Sequence, residues 1–206
     1  MKILHIAPSL ARLWGGTTTS ILGFHYALKA LGIDSHVATV STAKEEKEIA
    51  LSVINDENIK VFKGKERFWR YAPDLGNYLK TQLQAFDAVH IHGLWTYPTF
   101  IASRLAHRSK IPYILSPHGM LEEDALNRKG FKKRLYLKLI EQKTFDNASA
   151  IHAITDSEAK NSAKVTKTPS FTLPNGVNVD DFLPKEYQNI DTVAFIGRLH
   201  PIKGVD

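Results

Sequence analysis

The chain has 206 residues, of which 43% are hydrophobic and 23% charged, with no cysteine and a formal net charge of +6. This composition is typical of a folded globular protein and excludes wholesale disorder, disulfide bonds and thiolate metal sites. The apolar runs are too short for a membrane span or a secretion signal, so we expect a cytoplasmic protein. The excess positive charge indicates an anionic partner, such as nucleic acid, a phosphorylated small molecule or a membrane surface.

Short apolar runs alternate with longer amphipathic stretches along the chain. We predict strands over 3–7, 36–40, 59–62, 88–92, 113–116, 150–154, 171–173 and 193–196. Between them we predict helices over 17–31, 75–86, 99–107, 131–147 and 157–165. The last of these helices is predicted to be capped by Thr155 or Asp156. Since strands that alternate with helices require crossover connections, the pattern predicts a doubly wound α/β fold with a mostly parallel sheet. The strands read as continuous apolar runs, as expected when both faces of a sheet are covered.

A domain boundary is predicted near residue 187. Asn175 and Gly176 mark a turn, and residues 184–190 form a polar connector. We therefore expect a first domain over 1–187, and over 188–206 a linker followed by the first strand and loop of a second domain.

Ligands of doubly wound sheets bind beyond the carboxyl ends of the strands. Gly15 and Gly16 follow the first strand, where glycines allow a close approach and a helix N-terminus favours an anion. The G-x-G-x-x-G fingerprint of dinucleotide-binding proteins and the P-loop lysine are both missing, which argues against those two classes. The alternative for this pair of glycines is a simple tight turn.

Histidines follow two further strands. His90 and His92 are two residues apart in a strand, so they point to the same face. No carboxylate or thiolate completes a metal site beside them, so we predict packing or hydrogen bonding for His90, while His92 is the better candidate for lining a cleft. His118 leaves the next strand ahead of a glycine. Histidine titrates near neutral pH and can donate to a sugar hydroxyl, so His118 is the candidate catalytic residue.

Two basic segments complete the candidate sites. Residues 128–143 carry seven basic residues against one acid, with apolar residues at helical spacing. Such a helix can lie on an anionic membrane, but we favour packing of its apolar stripe on the sheet, because every crossover helix needs such a stripe. Near the end of the chain, Arg198 and Lys203 follow a predicted strand and suit a diphosphate.

Taken in order, these motifs resemble the retaining glycosyltransferases of family 4, which have the two-domain GT-B fold. The matching pieces, which together cover the whole chain, are residues 1–5 with Gly15-Gly16, Val89-His90-Ile91-His92-Gly93, Ser116-Pro117-His118-Gly119, Pro174-Asn175-Gly176-Val177, and Gly197-Arg198-Leu199 with Lys203-Gly204. The resemblance implies a Rossmann-like, acceptor-binding N-terminal domain. The two donor-binding glutamates of the family have no counterpart before Asp206, so we expect the chain to be the N-terminal portion of an enzyme and inactive alone.

The resemblance also implies the roles of the site residues. His118 would lie by the transferred sugar or the acceptor hydroxyl. Gly15 and Gly16 would border the donor diphosphate, and Arg198 and Lys203 would neutralise it. His92, Trp95 and Asn175 would lie in the acceptor cleft. No metal and no cofactor besides the nucleotide-sugar substrate is expected.

The implied function is hexosyl transfer with retention, in envelope or exopolysaccharide biosynthesis, to a sugar or lipid-linked acceptor. Peripheral contact with the inner face of the membrane through residues 128–143 is a further hypothesis. The main alternative is a non-catalytic nucleotide- or sugar-binding α/β module, and a weaker one is a sugar-nucleotide epimerase. A nucleic-acid partner is not expected, because the positive charge gathers on one helix without a recognition motif.

Overall fold

The structure is a computed structural model that describes residues 1–53, 56–66, 69–122, 126, 130–177 and 195. The chain divides into a compact unit of Met1–Gly176 and a second unit of Val177–Asp206. The predicted boundary near residue 187 and the predicted strand over 193–196 fall in the second unit, outside the described residues except for Phe195.

The first unit is built on a seven-stranded sheet in which all neighbouring strands are parallel, which confirms the predicted doubly wound α/β fold. The spatial order is β3-β2-β1-β4-β5-β6-β7, so the order reverses between β1 and β4. Ligands of such sheets bind at the carboxyl ends of the strands beside this reversal. The strands are β1 (Lys2–Ala7), β2 (Asp34–Ser41), β3 (Ile59–Lys63), β4 (Ala88–His92), β5 (Tyr113–Ser116), β6 (Ala150–Ala153) and β7 (Ser170–Thr172).

Helices connect the strands as crossovers. They are α1 (Gly16–Ala30), α2 (Glu46–Val53), α3 (Pro73–Gln82), α4 (Tyr97–Arg108), α5 (Gly130–Tyr136), α6 (Gln142–Asp146) and α7 (Asp156–Ala163), with short 3-10 turns at Arg12–Trp14 and Leu83–Ala85. A single π-helical turn, Leu137–Glu141, joins α5 to α6. No helix in the described part of the chain is long and apolar enough to cross a membrane.

Most predicted elements match within a few residues, and two differences have physical causes. Helix α2 was not predicted because it is short and polar, with Ile49 as a buried anchor. The predicted helix over 131–147 contains the π turn, a rare irregularity that the helical periodicity behind the prediction does not distinguish. Of the two predicted caps of α7, Thr155 is the one observed, because its side chain accepts a hydrogen bond from Glu158 N.

The two faces of the sheet have different chemistry. On one face a large apolar core packs against α3, α4 and α6, and its strand residues include Leu4, Ile6, Val89, Ile91, Leu115 and Ile151. A smaller apolar core lies under α1 and α2, including Ala7, Ile21, Val37 and Ile49. The alternating strand positions beside it carry histidine and serine instead of apolar residues.

Candidate functional site

The loops that leave β1, β4 and β5 meet at the carboxyl edge of the sheet, where the strand order reverses. Gly93 follows β4 with φ +77°, and a Cβ there would lie 3.2 Å from Met120 Cε and 3.4 Å from Pro8 Cγ. Leu94 N also donates to Met120 Sδ at 3.2 Å. Glycine suits this position because side chains rarely adopt such a φ, and a Cβ would also contact Met120 tightly.

His118 stands at this edge in the left-handed backbone region, with φ 54°. A non-glycine residue with such a φ is strained and persists only where the surrounding structure holds it, and such residues cluster at functional sites. Two contacts hold His118 in this conformation. The ring of His118 bonds through Nε2 to His92 Nδ1 at 3.0 Å, and the backbone N–H of Gly119 donates to Glu158 Oε1.

Glu158 anchors this loop to the neighbouring strand connection. Its second oxygen accepts a hydrogen bond from Ile154 N at 2.7 Å, and its side chain is 1% exposed. The same residue belongs to the first turn of α7, so its carboxylate links the His118 loop to the backbone just before that helix.

Beneath His118 lies a buried polar layer, which we call the histidine layer. Its members lie side by side on adjacent strands, because His5 of β1 is in register with His90 of β4, and His92 with Ser116 of β5. The layer consists of His5, His90, His92, Ser116 and His152, none of them more than 7% exposed. Phe24 of α1 covers it, with ring contacts to His5, His90 and His152.

Two hydrogen-bonded series run through the layer. In one, His90 Nε2 meets Ser116 Oγ at 2.7 Å, Ser116 Oγ meets His152 Nδ1 at 2.8 Å, and His152 Nε2 donates to Leu173 O at 2.8 Å. In the other, His5 Nδ1 meets His92 Nε2 at 3.0 Å, and His92 continues to His118. The prediction that His90 is a packed, hydrogen-bonded histidine is confirmed. His92 is 2% exposed and reaches the edge only through His118.

Burial keeps the imidazoles of His5, His90, His92 and His118 neutral at pH 7. It lowers the pKa of His5 to about 3 and that of His118 to about 4, and it holds the pKa values of His90 and His92 well below the ordinary range. Burial thus moves the pKa of His118 away from the near-neutral range of an ordinary histidine, and its catalytic role stays a prediction. At pH 7 its imidazole can donate or accept a hydrogen bond without carrying a charge.

Among the described residues, His5, His90 and His92 each have one ring nitrogen within 4.8 Å of those of the other two, close enough to hold a metal ion. Two of these rings already bond to each other, and the third bonds to Ser116. The absence of a metal from the function of this site stays a prediction.

The predicted glycine pair opens α1. Gly15 has φ 62° and ψ −133°, a conformation that suits only glycine, and no side chain caps the helix. A Cβ at Gly16 would meet nothing within 4 Å, so the helix N-terminus is open in front of the backbone. An uncapped N-terminus of this kind is suited to an anion. Whether it binds the donor diphosphate stays a prediction.

The remaining predicted residues have separate surroundings. Asn175 is exposed and its Oδ1 accepts a hydrogen bond from Ser20 Oγ of α1 at 2.6 Å. Trp95 is half-buried at the start of the β4–α4 loop, in a left-handed conformation with φ 67°. Arg198 and Lys203 lie outside the described residues, so their predicted contact with the diphosphate stays a prediction.

Trp95 rests on a buried carboxyl that sequence reasoning missed. Trp95 N donates to Glu141 Oε1 at 2.8 Å, and Glu141 is fully buried at the end of the π turn. Burial raises the pKa of Glu141 to about 7, although the bond from Trp95 works against the shift. The sequence offered a weak signal, a lone acid within a basic helix.

Arg70, a second residue that the sequence analysis did not identify, holds the loop after β1 in place, and we call its set of contacts the arginine clamp. Arg70 donates to Pro8 O at 2.8 Å and to Val40 O at 2.7 Å, and it pairs with Glu45 at 2.6 Å. Its guanidinium lies 5.3 Å from the ring of Trp14. Beside the clamp is a cleft of about 420 Å³ lined by Leu13, Trp14, Thr42, Lys44, Glu45, Glu66 and Arg70.

A larger hollow of about 800 Å³ includes Ala148 and Pro169, which precede β6 and β7, so it lies at the opposite edge of the sheet from this site.

The basic helix exposes its apolar stripe. Phe131, Leu135 and Leu139 are 83%, 48% and 63% exposed, so they do not pack on the sheet. Lys132, Arg134 and Lys138 are exposed beside them, whereas Lys133 lies over the ring of Trp95 at 5.8 Å. Arg128 and Lys129 lie outside the described residues.

Solved structures share this fold. HepE of Anabaena in complex with UDP-glucose has a TM-score of 0.63 at 14% identity, over 87% of this chain and 45% of its own. UDP-GlcNAc 2-epimerase of Methanocaldococcus jannaschii has a TM-score of 0.56 at 18% identity, over 85% and 46%. MurG of Acinetobacter baumannii has a TM-score of 0.52 at 13% identity, over 86% and 46%. The chain thus spans about half the length of these solved chains, and the likeness shows their Rossmann-like α/β fold.

Sequence comparison is more specific. No protein of curated function matches the chain. The family model described as Glycosyltransferase Family 4 matches residues 14–181, which include the His118 loop and most of the sheet. Because this match covers well over half of the chain, the protein belongs to glycosyltransferase family 4.

Proposed function

We propose that this chain forms the acceptor-binding half of a retaining glycosyltransferase that transfers a hexose from a nucleotide-sugar. The observation that carries the proposal is the position of His118, held in a left-handed conformation at the carboxyl edge where the strand order reverses. Family membership supports glycosyl transfer in general. Envelope or exported polysaccharides are the proposed products.

The donor is proposed from the neighbours and from the uncapped helix. One solved neighbour, HepE of Anabaena, was crystallised with UDP and with UDP-glucose. In this chain the N-terminus of α1 opens at Gly15 and Gly16 on the same edge of the sheet as His118. Fixed donors placed at a departing diphosphate stabilise the charge that develops there in the transition state. Arg198 and Lys203 are proposed to add two cations, and no resident metal or cofactor is part of the proposal.

The proposed reaction breaks the bond between the anomeric carbon and the diphosphate oxygen, and it forms a bond from the same carbon to the acceptor oxygen. The leaving phosphate oxygen takes the proton of the acceptor hydroxyl. The sugar keeps its anomeric configuration. His118 donates a hydrogen bond to an oxygen of the substrate, and the cleft beside Trp14 and Arg70 offers room for an acceptor.

The test is a transfer assay with a panel of nucleotide-sugars, run on the complete product of the gene and on the 206-residue chain. We expect the complete product to release nucleoside diphosphate only with an acceptor present, and product NMR to show the donor's anomeric configuration. We expect no turnover from the 206-residue chain, and turnover by it would overturn that part of the proposal. Conversion of the nucleotide-sugar without an acceptor would indicate an epimerase, and binding without turnover by the complete product would indicate a non-catalytic module.

The acceptor is proposed to be lipid-linked, with the basic helix resting on the membrane. The exposed stripe of Phe131, Leu135 and Leu139 beside exposed cations favours this location. An apolar face with flanking lysines binds anionic lipid surfaces through buried area and charge together.

Liposome sedimentation tests this contact. Replacing Lys132, Arg134 and Lys138 by glutamate should abolish binding to vesicles that contain anionic lipid. Lys110→Glu, at an exposed position of the turn after α4, is the control and should preserve the binding. Equal binding of the triple variant and the unchanged protein would contradict the proposed membrane contact.

A further inference from the structure

Three histidines form a single hydrogen-bonded series from the interior of the sheet to its edge. His5 Nδ1 meets His92 Nε2 at 3.0 Å, and His92 Nδ1 meets His118 Nε2 at 3.0 Å. At the buried end, His5 Nε2 has no hydrogen-bond partner among the described residues. At the outer end, His118 is only partly buried, and none of the hydrogen bonds between described residues involves its Nδ1.

The protons of such a series can be arranged in two ways. A neutral imidazole carries one N–H and one lone pair, so each ring that accepts at one nitrogen donates at the other. If the protons point outward, all three rings carry hydrogen on Nδ1, His5 Nε2 is a bare lone pair, and His118 presents Nδ1–H at the edge. If they point inward, all three carry hydrogen on Nε2, and His118 presents a lone pair instead.

The buried end distinguishes the two arrangements. The inward arrangement leaves an N–H of His5 without an acceptor in the interior, and orphaned buried N–H groups are rare in proteins. The outward arrangement leaves only an unused lone pair. The rings nearest His5, those of His90 and His92, have centroids 5.2 and 5.3 Å away, and neither supplies an acceptor to Nε2.

We propose that the buried end at His5 and the intervening His92 hold His118 as its Nδ1–H tautomer, so that His118 acts as a hydrogen-bond donor to a substrate oxygen and not as a base. His92 is the positioning residue. The contact with substrate rests on the proposed function above, whereas the tautomer does not. The low pKa values of the three rings agree with the neutral state that the series requires.

The competing series through Ser116 does not disturb this assignment. His90 lies beside His92, with ring centroids 4.0 Å apart, but its Nε2 bonds to Ser116 and not to any member of the first series. His90 therefore offers a matched control, because it has the same residue type, strand, face and burial as His92 without a bond to His118.

The test is NMR of the 206-residue chain labelled with ¹⁵N-histidine, in which long-range ¹H–¹⁵N correlations report which ring nitrogen carries the proton. At pH 7 we expect His5, His92 and His118 all to be neutral and protonated on Nδ1. Protonation of His118 on Nε2, or a doubly protonated ring, would overturn the proposal. This result is independent of turnover, so it separates failure of this inference from failure of the proposed function.

Three variants sharpen the test. His92→Phe removes the partner of His118 Nε2 and should leave His118 as a mixture of tautomers. His90→Phe should leave it on Nδ1. In His5→Phe the new buried end is His92 Nε2, again a bare lone pair, so His118 should also stay on Nδ1. A pure Nδ1–H signal in His92→Phe, or equal changes in His90→Phe and His92→Phe, would contradict a positioning role. If His92→Phe does not fold, the unchanged protein and His5→Phe still decide the tautomer.

Discussion

The two faces of the central sheet meet the demands of burial in different ways. On one face, alternate positions of β1, β4, β5 and β6 carry Leu4, Ile6, Val89, Ile91, Leu115 and Ile151, all buried against apolar side chains. On the other face, the positions between them carry the histidine layer under Phe24. The apolar face stabilises the fold by removing carbon from water, which needs no particular protonation state. The polar face depends on hydrogen bonds between its side chains and on neutral imidazoles at His5, His90 and His92, whose pKa values burial lowers.

This difference separates stability from chemistry within a single sheet. In a low-dielectric interior, an unpaired polar group destabilises the fold, whereas a fully hydrogen-bonded network specifies a single arrangement of its side chains. His92 of the histidine layer bonds to His118 on the carboxyl edge, so the polar face extends directly into the candidate site. The apolar face reaches the same edge through hydrophobic residues such as Leu94 and Leu121.

The largest expected effect is acid unfolding driven by the polar face. His5, His90, His92 and His118 have folded pKa values below 6.5, so below that pH the unfolded chain binds more protons and stability falls as pH falls. Between about pH 6 and 4.5, four such groups together lower the free energy of unfolding by about 5 kcal/mol per pH unit. The whole free energy of unfolding of a typical protein is only about 5–15 kcal/mol. Urea denaturation at successive pH values measures this slope.

A matched pair of variants assigns the slope to the layer. His5→Phe should remove about one proton, or about 1.4 kcal/mol per pH unit, from the slope. His107→Phe, at an exposed position of α4, should leave the slope unchanged. An acid transition that takes up one proton or fewer would contradict a neutral histidine layer.

The next effect compares neighbouring residues on opposite faces. Leu115→Ala leaves a cavity in the apolar core and should cost about 2.7–5 kcal/mol at any pH between 6.5 and 8. Ser116→Ala removes the hydroxyl between His90 and His152 and should cost about 1–3 kcal/mol, the penalty of leaving buried groups unpaired. Its second signature is a change in the ring ¹⁵N signals of those two histidines, which Leu115→Ala should lack. Equal ring changes in both variants would remove the distinction between the faces.

The smallest effect concerns Glu141, a buried carboxyl beside the apolar core. Because burial raises its pKa to about 7, the folded state binds the extra proton, and stability falls as pH rises from about 4.5 to 7. This sign is opposite to that of the histidines. The free energy of unfolding of Glu141→Gln, measured relative to that of the unchanged protein, should therefore increase by about 2 kcal/mol from pH 5.5 to pH 8. Glu57→Gln, at an exposed site, serves as the control, and a pH-independent difference for Glu141→Gln would contradict the raised pKa.

The sequence predicted the architecture better than the interior of the site. Alternating strands and helices implied the doubly wound sheet, and the strand ends implied where His118 and the glycine pair would lie. Reading the strands as continuous apolar runs missed the polar face, although His5, His90, His92 and His152 each alternate with apolar neighbours. Such alternation shows which face a residue takes, but only strand order and register bring these four side chains together.

Other contacts join residues far apart in the sequence, so local pattern could not predict the pairing. The bond from Trp95 N to Glu141 joins residues 46 positions apart, and that from Gly119 N to Glu158 joins residues 39 apart. The exposure of Phe131, Leu135 and Leu139 likewise depends on where the helix packs, since the same spacing could have served an inward stripe.

The most direct test of the account is kcat for sugar transfer by the complete gene product with three substitutions. If His118 donates a hydrogen bond in the transition state, His118→Ala should lower kcat by about 10²–10³-fold, as loss of such a donor does elsewhere. His118→Asn, whose amide can replace Nδ1–H, should recover part of that loss, and His107→Ala should have no effect. Unchanged kcat in His118→Ala, or a loss in His118→Asn equal to that in His118→Ala, would contradict the account.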